Sequence, residues 1–358
     1  MRIAAVGRAL PESRYDQETL SAALRRAFGE HGLDPRRLAR LHRNVKVDGR
    51  HLALPIGEYD NLRTFTDTND AFIRCGLDLG ERAVRDGLAT AGLGTADVDH
   101  LFFVSVTGVA TPSLDAGLAN RLGLRSDVKR TPIFGLGCVA GAAGVARAAD
   151  YLRAFPDQVA VLLSVELCSL TLQRDDLSMA NLIASGLFGD GAAAVVLVGA
   201  EHERNGVPAT NRSRAPEVLA TRSVFYPDTE EMMGWRIGSD GFRVVLSPDV
   251  PEVVGSNVRG DVESFLADHD LSLDDVSTWV AHPGGPRILE AMEAALELPD
   301  DALARSWRSL AAIGNLSSAS VLMVLADTME EGRPERGDHG LMLAMGPGFC
   351  SELVLLRG

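Results

Sequence analysis

Amphipathic helical segments alternate with short apolar runs along the chain. In the first half, the helical patterns LSAALRRAFGEHG and GLDLGERAVRDGLATAGL precede the strand-like run LFFVSV. A helix rich in small residues, VAGAAGVARAADYLRAF, then comes before two apolar runs with many β-branched residues, AVLLSVEL and GAAAVVLVG. Strands that alternate with helices in this way predict an α/β fold in which helices cover both faces of the sheet.

The second half repeats this order of elements weakly. The segments ADVDHLFFVSVTGVATPSLDAGL and LSLDDVSTWVAHPGGPRILEAMEAAL each contain an acidic turn, a strand, a special loop and a helix. LFGDGAAAVVL and AMGPGFCSELVLL each place a Gly-rich turn before a strand. This similarity predicts an internal duplication. We expect the boundary in the polar stretch 200–215, which divides the chain into residues 1–207 and residues 208–358.

The composition is that of an ordinary globular protein. The 358 residues are 46% hydrophobic and 23% charged, a balance that provides a large core and argues against disorder. The apolar runs are interrupted well before the ~18 residues that a membrane helix needs. The N-terminal segment MRIAAVGRALPESRYD also lacks the apolar length of a signal peptide. We therefore expect a cytoplasmic protein without a membrane span.

Four cysteines, Cys75, Cys138, Cys168 and Cys350, lie far apart in the sequence and form no CxxC pair. This spacing argues against a disulfide framework and against a structural zinc site, so we expect no metal. Reduced thiols are the default in a cytosolic enzyme, and we expect at most one or two of them to be reactive.

The chain is strongly acidic overall but contains one basic segment. A net charge of −14, from 49 acidic and 35 basic residues, disfavours nucleic acid as a partner. Between positions 36 and 50 the balance reverses, and Arg36, Arg40 and Arg43 have the spacing of one helical face. This face is either a solvated surface or a cradle for a phosphate-bearing ligand, and composition does not decide between them.

Cys138 is the cysteine best placed for chemistry. It lies in the sequence FGLGCVAGA, at a predicted junction between a strand and a helix. The positive end of a helix dipole favours the thiolate, and the backbone N–H of Cys138 could face a developing oxyanion. The alternative is a buried structural cysteine, which is the commoner case. The segment GLGCVAG does not match GxGxxG, so a dinucleotide site is not supported.

Two further residues stand on loops that glycine brackets. His282, in WVAHPGGP, follows a predicted strand and is either an ordinary loop histidine or the base that takes a thiol proton. Asn315, in AIGNLSSAS, precedes an apolar helix. It is either a helix cap or an amide donor that stabilises negative charge on a thioester oxygen.

The segments GLGC, HPGG, GN-x-SSAS and GPGF, together with LFGDGAAA, resemble in order and spacing the chalcone synthase or type III polyketide synthase family. The resemblance covers nearly the whole chain. It implies a thiolase fold, with two related βαβαβ-type halves in a layered αβαβα arrangement, and a homodimer. It also implies a Cys-His-Asn site that works on free CoA thioesters, malonyl-CoA and an acyl-CoA primer, without a permanently bound cofactor.

The resemblance assigns roles residue by residue. The nucleophile is Cys138, His282 and Asn315 stabilise the enolate, and Phe188 is the aromatic gatekeeper between the CoA tunnel and the cavity. Further substrate-binding positions are Thr171, Cys168, Ser317, Gly346, Pro347, Trp235 and Val244. Positions implied to bind CoA are Arg37, Arg40, Lys46, Gly284 and Arg287, which favours the phosphate-cradle interpretation of the basic segment.

Two departures from the family pattern concern the primer. A second gatekeeper phenylalanine falls on Val244, and a pocket glycine of chalcone synthases falls on Trp235. The run ELCSLTL, with MGW and GPGF-SEL, resembles bacterial alkylpyrone or alkylresorcinol synthases, so we expect a medium or long aliphatic primer. The alternatives are a tetrahydroxynaphthalene synthase that uses malonyl-CoA alone and a ketoacyl synthase III-like enzyme that starts fatty acids. A catalytically inactive acyl-CoA-binding protein is the non-enzymatic alternative.

Overall fold

The computed structural model describes residues 1–29, 31–202 and 215–358. The predicted boundary between residues 207 and 208 lies outside the described residues, so it stays a prediction. In the first half, the strands are β1 (Arg2–Ala9), β2 (Ser13–Asp16), β3 (Gly49–Leu52), β4 (His100–Val104), β5 (Lys129–Ile133), β6 (Val159–Leu167) and β7 (Asp190–Val198). The helices are α1 (Gln17–Gly29), α2 (Pro35–Asn44), α3 (Phe65–Ala91), α4 (Leu114–Leu122), α5 (Ala140–Ala154) and α6 (Met179–Leu187).

The second half follows the same plan. Its strands are β8 (Glu217–Phe225), β9 (Met233–Gly238), β10 (Gly241–Leu246), β11 (Val276–Ala281), β12 (His339–Gly346) and β13 (Cys350–Arg357). Its helices are α7 (Val250–Ala267), α8 (Pro286–Leu296), α9 (Ala304–Ile313) and α10 (Ser318–Glu330). No helix in the described ranges combines the length and the apolar character that crossing a bilayer requires.

The sheet topology contains the duplication that the sequence predicts. Within the described residues, nine strands form one sheet in the order β11-β12-β13-β8-β1-β7-β6-β4-β5. β4 pairs in parallel with β6, as β11 does with β12. β7 runs antiparallel to β6 and β1, as β13 does to β12 and β8. The two sets join where Arg2 of β1 pairs with Glu217 of β8.

The side chains of each strand alternate between two cores, which produces the layers. On β6, Ala160 and Leu162 belong to a central core, whereas Val161 and Leu163 face an outer one. The central core contains α5 and α10, packed between the strands of the two halves. Helices α3 and α4 cover the first half on the outside, and α7 and α8 cover the second. The result is the αβαβα arrangement of the thiolase fold.

Smaller elements outside these layers form much of the wall of the cavity beside Phe188. Helices α1, α2 and α6 share a small core of their own, formed by Phe28, Leu33, Leu38 and Leu182. Strands β2 and β3 form one hairpin, and β9 and β10 form another. In the second hairpin Trp235 lies directly opposite Val244, so the two residues that depart from the family pattern share one face.

Candidate active site

The predicted catalytic residues lie where parallel strands of both halves end. Cys138 follows β5, and His282 follows β11. Asn315 lies three residues before the start of α10, and Gly346 is the last residue of β12. Ligand sites of α/β proteins lie outside the carboxyl ends of such strands, so this edge is where a substrate is expected.

Two glycines allow the loop with Cys138 to pack against the loop after β12. Cys138 lies in a 3₁₀ turn, Gly137–Val139, directly before α5. Gly137 has φ +53°, and a Cβ there would lie 2.7 Å from the ring of Pro347. A Cβ on Gly346 would lie 2.6 Å from the backbone nitrogen of Val139. The predicted positions Gly346 and Pro347 are therefore neighbours of the thiol-bearing loop.

The thiol of Cys138 is buried and hydrogen-bonded. It is 9% exposed, and its Sγ donates to the Oγ of Ser317 at 3.7 Å. Burial raises the pKa of Cys138 to about 12, although hydrogen bonds from Ser317 and Asn315 act in the opposite direction. Our expectation that the helix start lowers this pKa is therefore wrong for the substrate-free chain. Loss of hydration outweighs the helix end, and the negative charge of Glu166 adds to it.

His282 is buried with an unused hydrogen-bonding capacity. It is 3% exposed, and its backbone N–H donates to the carbonyl of Leu343 at 2.8 Å. Neither ring nitrogen has a partner among the described residues. Burial lowers the pKa of His282 to about 3, so the imidazole is neutral at pH 7. A buried imidazole without a protein partner can accept or donate a proton when a polar substrate enters.

Asn315 is not the N-cap residue of α10, which is Ser317, and its role as an oxyanion donor stays a prediction. Its Oδ1 accepts hydrogen bonds from the backbone N–H of Ser317 at 2.8 Å and from Ser320 Oγ at 3.3 Å, close to the start of α10. Its Nδ2 donates to the carbonyl of Gly284 at 3.0 Å, two residues after His282. These bonds fix the direction of the amide, and the second Nδ2 hydrogen is left to act as a donor.

Ser317 contributes a strained backbone. It has φ +49° although it is not glycine, and it is 3% exposed. Such conformations cost free energy and concentrate at functional sites. Here the conformation brings the hydroxyl to Cys138 and the N–H to Asn315, so one residue connects the thiol and the amide.

Glu166 is a residue of the site to which the sequence analysis gave no role. It is fully buried and accepts hydrogen bonds from Thr107 Oγ1 at 2.9 Å, from the Val106 N–H at 3.1 Å and from the Ser318 hydroxyl. Burial raises its pKa to about 7. The available signal was a carboxylate inside the apolar run AVLLSVEL, because a buried acid needs partners or a function.

A cavity of about 110 Å³ gathers the residues predicted to contact the primer. Its lining includes Phe188, Trp235, Val244, Thr171 and Cys168. The backbone of Phe188 forms a parallel bridge with Asn315, so the gatekeeper connects the cavity to the catalytic loops. The apolar face of α1 forms another wall, which the sequence analysis missed, with Leu20, Ala23, Leu24 and Ala27.

The residues predicted to bind CoA form two exposed groups. Arg37 and Arg40 lie on α2, and Arg287 lies in the first turn of α8, just after Gly284. Lys46 connects the groups, because its Nζ is 3.5 Å from Glu290 Oε1 on α8. Among the described residues, no cluster of three or more His, Cys, Asp or Glu side chains could hold a metal ion.

Comparisons with known proteins agree with this fold. Residues 1–202 match the family model for the N-terminal domain of chalcone and stilbene synthases, and residues 217–358 match the C-terminal one. A 1,3,6,8-tetrahydroxynaphthalene synthase of Streptomyces peucetius subsp. caesius is 56% identical over 99% of this chain and 92% of its own length. A 3,5-dihydroxyphenylacetyl-CoA synthase of Streptomyces toyocaensis is 31% identical over 99% of this chain and 90% of its own.

A solved structure has the same architecture. The 1,3,6,8-tetrahydroxynaphthalene synthase of Streptomyces coelicolor A3(2) superposes with a TM-score of 0.91 at 31% identity, over 100% of this chain and 99% of its own. These relatives support the tetrahydroxynaphthalene alternative better than our expectation of an alkylpyrone or alkylresorcinol synthase. The chain belongs to the chalcone and stilbene synthase family and is a type III polyketide synthase, an acyltransferase.

Proposed function

We propose that this type III polyketide synthase uses malonyl-CoA both as starter and as extender and makes 1,3,6,8-tetrahydroxynaphthalene. The 56% identity with the Streptomyces peucetius enzyme supports this product. The bulk of Trp235, which lines the cavity opposite Val244, supports it as well. A malonyl-derived starter is short, whereas a long alkyl chain would need a wider space beside Trp235.

The observation that carries the mechanism is a buried thiol that is linked through Ser317 and Asn315 to the loop of a buried, neutral imidazole, whose ring nitrogens have no hydrogen-bond partner among the described residues. We propose that Cys138 attacks the starter thioester while His282 accepts its proton. The two groups then acquire opposite charges together, which avoids the cost of a single buried charge. The thiolate displaces CoA, and the acyl group remains on the sulfur as a thioester.

The same two partners serve the extension step. Malonyl-CoA loses CO₂, and the resulting enolate oxygen accepts hydrogen bonds from His282 and Asn315. Each fixed donor of this kind lowers a barrier by about 3 kcal/mol in a dry site. The enolate carbon attacks the acyl group on Cys138 and releases the thiolate, so the chain returns to CoA two carbons longer.

The exposed cations near the site are suited to bind the phosphates of the substrate. We propose that Arg37, Arg40, Lys46 and Arg287 bind the phosphates of CoA, and that no other cofactor is required. The enzyme works as a homodimer in the cytoplasm, where its cysteines stay reduced.

The test is the product of the purified protein with malonyl-CoA alone, identified by mass spectrometry. We expect tetrahydroxynaphthalene as the main product, none from Cys138→Ala, and normal amounts from Cys75→Ala, whose thiol donates to the Ala53 carbonyl at 3.7 Å. A requirement for an added aliphatic acyl-CoA would refute the malonyl starter. Activity only with malonyl carrier protein would instead identify a ketoacyl synthase III-like enzyme.

A further inference from the structure

A buried arginine lies beside the catalytic loops. Arg50 of β3 is 3% exposed and lines the cavity described above. Its Nε has no hydrogen-bond partner among the described residues. Burial lowers the pKa of Arg50 to about 10, and Asp190 acts in the opposite direction. Because a buried charge is costly, its retention at this position calls for a specific contact.

The contact is with the backbone that carries the gatekeeper. The Nη1 of Arg50 donates to the carbonyl of Phe188 at 2.7 Å. A hydrogen bond from an ionised donor is shorter and stronger than one between neutral groups. The guanidinium therefore fixes the peptide that follows Phe188, in which Gly189 is the next residue.

The aliphatic part of Arg50 packs beside the two glycines that flank the bridge between Phe188 and Asn315. A Cβ on Gly314, which has φ +75°, would lie 3.1 Å from both Cγ and Cδ of Arg50. A Cβ on Gly189 would lie 3.6 Å from the Cβ of Arg50. Both glycines flank the backbone bridge between Phe188 and Asn315, so the arginine fills the space that they leave open.

The bridge itself is short. The N–H of Asn315 donates to the carbonyl of Leu187 at 2.9 Å, and the N–H of Gly189 donates to the carbonyl of Asn315 at 3.0 Å. Strand β3 reaches this point from an independent anchor, because the N–H of Asp48 donates to the carbonyl of Ala311 on α9 at 2.8 Å. Arg50 thus adds a contact from a third segment to a pairing of only two hydrogen bonds.

We infer that Arg50 is a positioning residue, which holds the Phe188–Asn315 bridge and thereby sets the direction of the Asn315 amide. It does not touch the reacting atoms. Its effect passes through the amide, whose role in enolate stabilisation belongs to the proposed function, so the inference rests on that proposal. The cations proposed to bind the CoA phosphates lie on α2, just after it at Lys46, and on α8, so Arg50 is not among the groups expected to contact CoA.

The test compares Arg50→Met, which keeps the length of the stem and removes the donor, with Arg50→Lys, which keeps a cationic donor. Decarboxylation of malonyl-CoA is measured in the Cys138→Ala background. We expect kcat to fall about tenfold to hundredfold in Arg50→Met, because a misplacement of about 1 Å can cost 10²-fold. The KM should stay within about threefold, and Arg50→Lys should recover part of kcat.

Two controls separate positioning from stability. Leu118→Ala empties a fully buried position in the outer core and should lower the melting temperature without changing kcat. Arg82→Met removes an exposed arginine that donates to the Leu10 carbonyl at 3.2 Å and should change neither. If Arg50→Met does not fold, Arg50→Gln is measured in its place, with the same fall in kcat expected.

Normal kcat in the folded Arg50 variant, or a raised KM with normal kcat, would overturn the inference. Asn315→Ala, measured in parallel, shows which proposal fails. If Asn315→Ala stays active, the proposed catalytic site is wrong. If Asn315→Ala is inactive while Arg50→Met is normal, only the role of Arg50 is wrong.

Discussion

Asn315 offers the sharpest test of the enolate mechanism. Its amide makes three hydrogen bonds, so Asn315→Ala has two separate consequences. The oxyanion donor Nδ2 is lost, and such a loss costs about 10²–10³ in kcat, or about 3–4 kcal/mol of transition-state stabilisation. The acceptor Oδ1 is also lost, which leaves the buried N–H of Ser317, now bonded at 2.8 Å, without its partner. An unpaired buried donor costs about 1–3 kcal/mol of folding free energy.

The assay separates these effects. In the Cys138→Ala background no acyl-enzyme forms, so the rate of CO₂ release from malonyl-CoA reports enolate stabilisation alone. Urea unfolding of the same protein reports the change in stability. Asn257→Ala is the matched control, because its Nδ2 donates to the Val253 carbonyl at 2.7 Å on the outer helix α7, far from this chemistry in the layer order.

Asn315→Ala and its control Asn257→Ala should differ clearly in the rate of CO₂ release. CO₂ release should fall by about two to three orders of magnitude, while the protein stays folded at low urea. Asn257→Ala should release CO₂ at the rate of its parent. A decrease in CO₂ release of less than about threefold, in protein that remains folded, would show that the amide does not stabilise the enolate.

Three other perturbations test the remaining parts of the site. Cys138→Ala should abolish condensation but retain part of the decarboxylation, measured by product and CO₂; retained chain extension would exclude Cys138 as nucleophile. Charge reversal of Arg37 and Arg40 together should raise the KM for malonyl-CoA more than it changes kcat, and the rise should be smaller at higher salt because salt screens exposed charges, whereas a normal KM would show that these residues form only a solvated surface. Glu166 has a pKa raised from 4.5 to about 7, so this group binds more protons in the folded state between these values, and its own contribution to stability falls as pH rises through them. His282, whose pKa is lowered to about 3, acts in the opposite sense, so the measurement is the difference in the free energy of unfolding between the parent and Glu166→Gln. This difference should shift in favour of the variant between pH 4.5 and pH 7 in urea unfolding; a difference that does not change with pH would contradict the assignment.

The fold could be predicted from local hydrophobic patterns in the sequence. The run AVLLSVEL became β6, whose alternate residues Ala160 and Val161 face different cores. The repeated order of elements predicted the duplication because each half must bury its helices against its own strands. The candidate site residues were also visible, since the glycines beside them permit backbone conformations that few other residues adopt.

The properties that the sequence did not predict all depend on contacts between distant segments. The wall that α1 adds to the cavity requires α1 to pack beside Phe188, which the amphipathic pattern of α1 does not specify. The pKa of Cys138 was predicted in the wrong direction, because a helix start is a local feature and burial is a tertiary one. Glu166 had no assigned role, because its hydrogen-bond donors come from the loop after β4 and from the first residue of α10.

The duplication explains how one site can draw its groups from both halves. Helices α5 and α10 hold equivalent places, one after Cys138 and one after Asn315, and they pack against each other in the central layer. Their first turns are nearly in contact, because a Cβ on Gly141 would lie 2.3 Å from the carbonyl oxygen of Ser318. A side chain at position 141 would separate the two helix starts and, with them, the thiol and the amide. The geometry that we propose for catalysis therefore depends on the central packing of the fold, and the loops have to place His282 and the cavity wall around it.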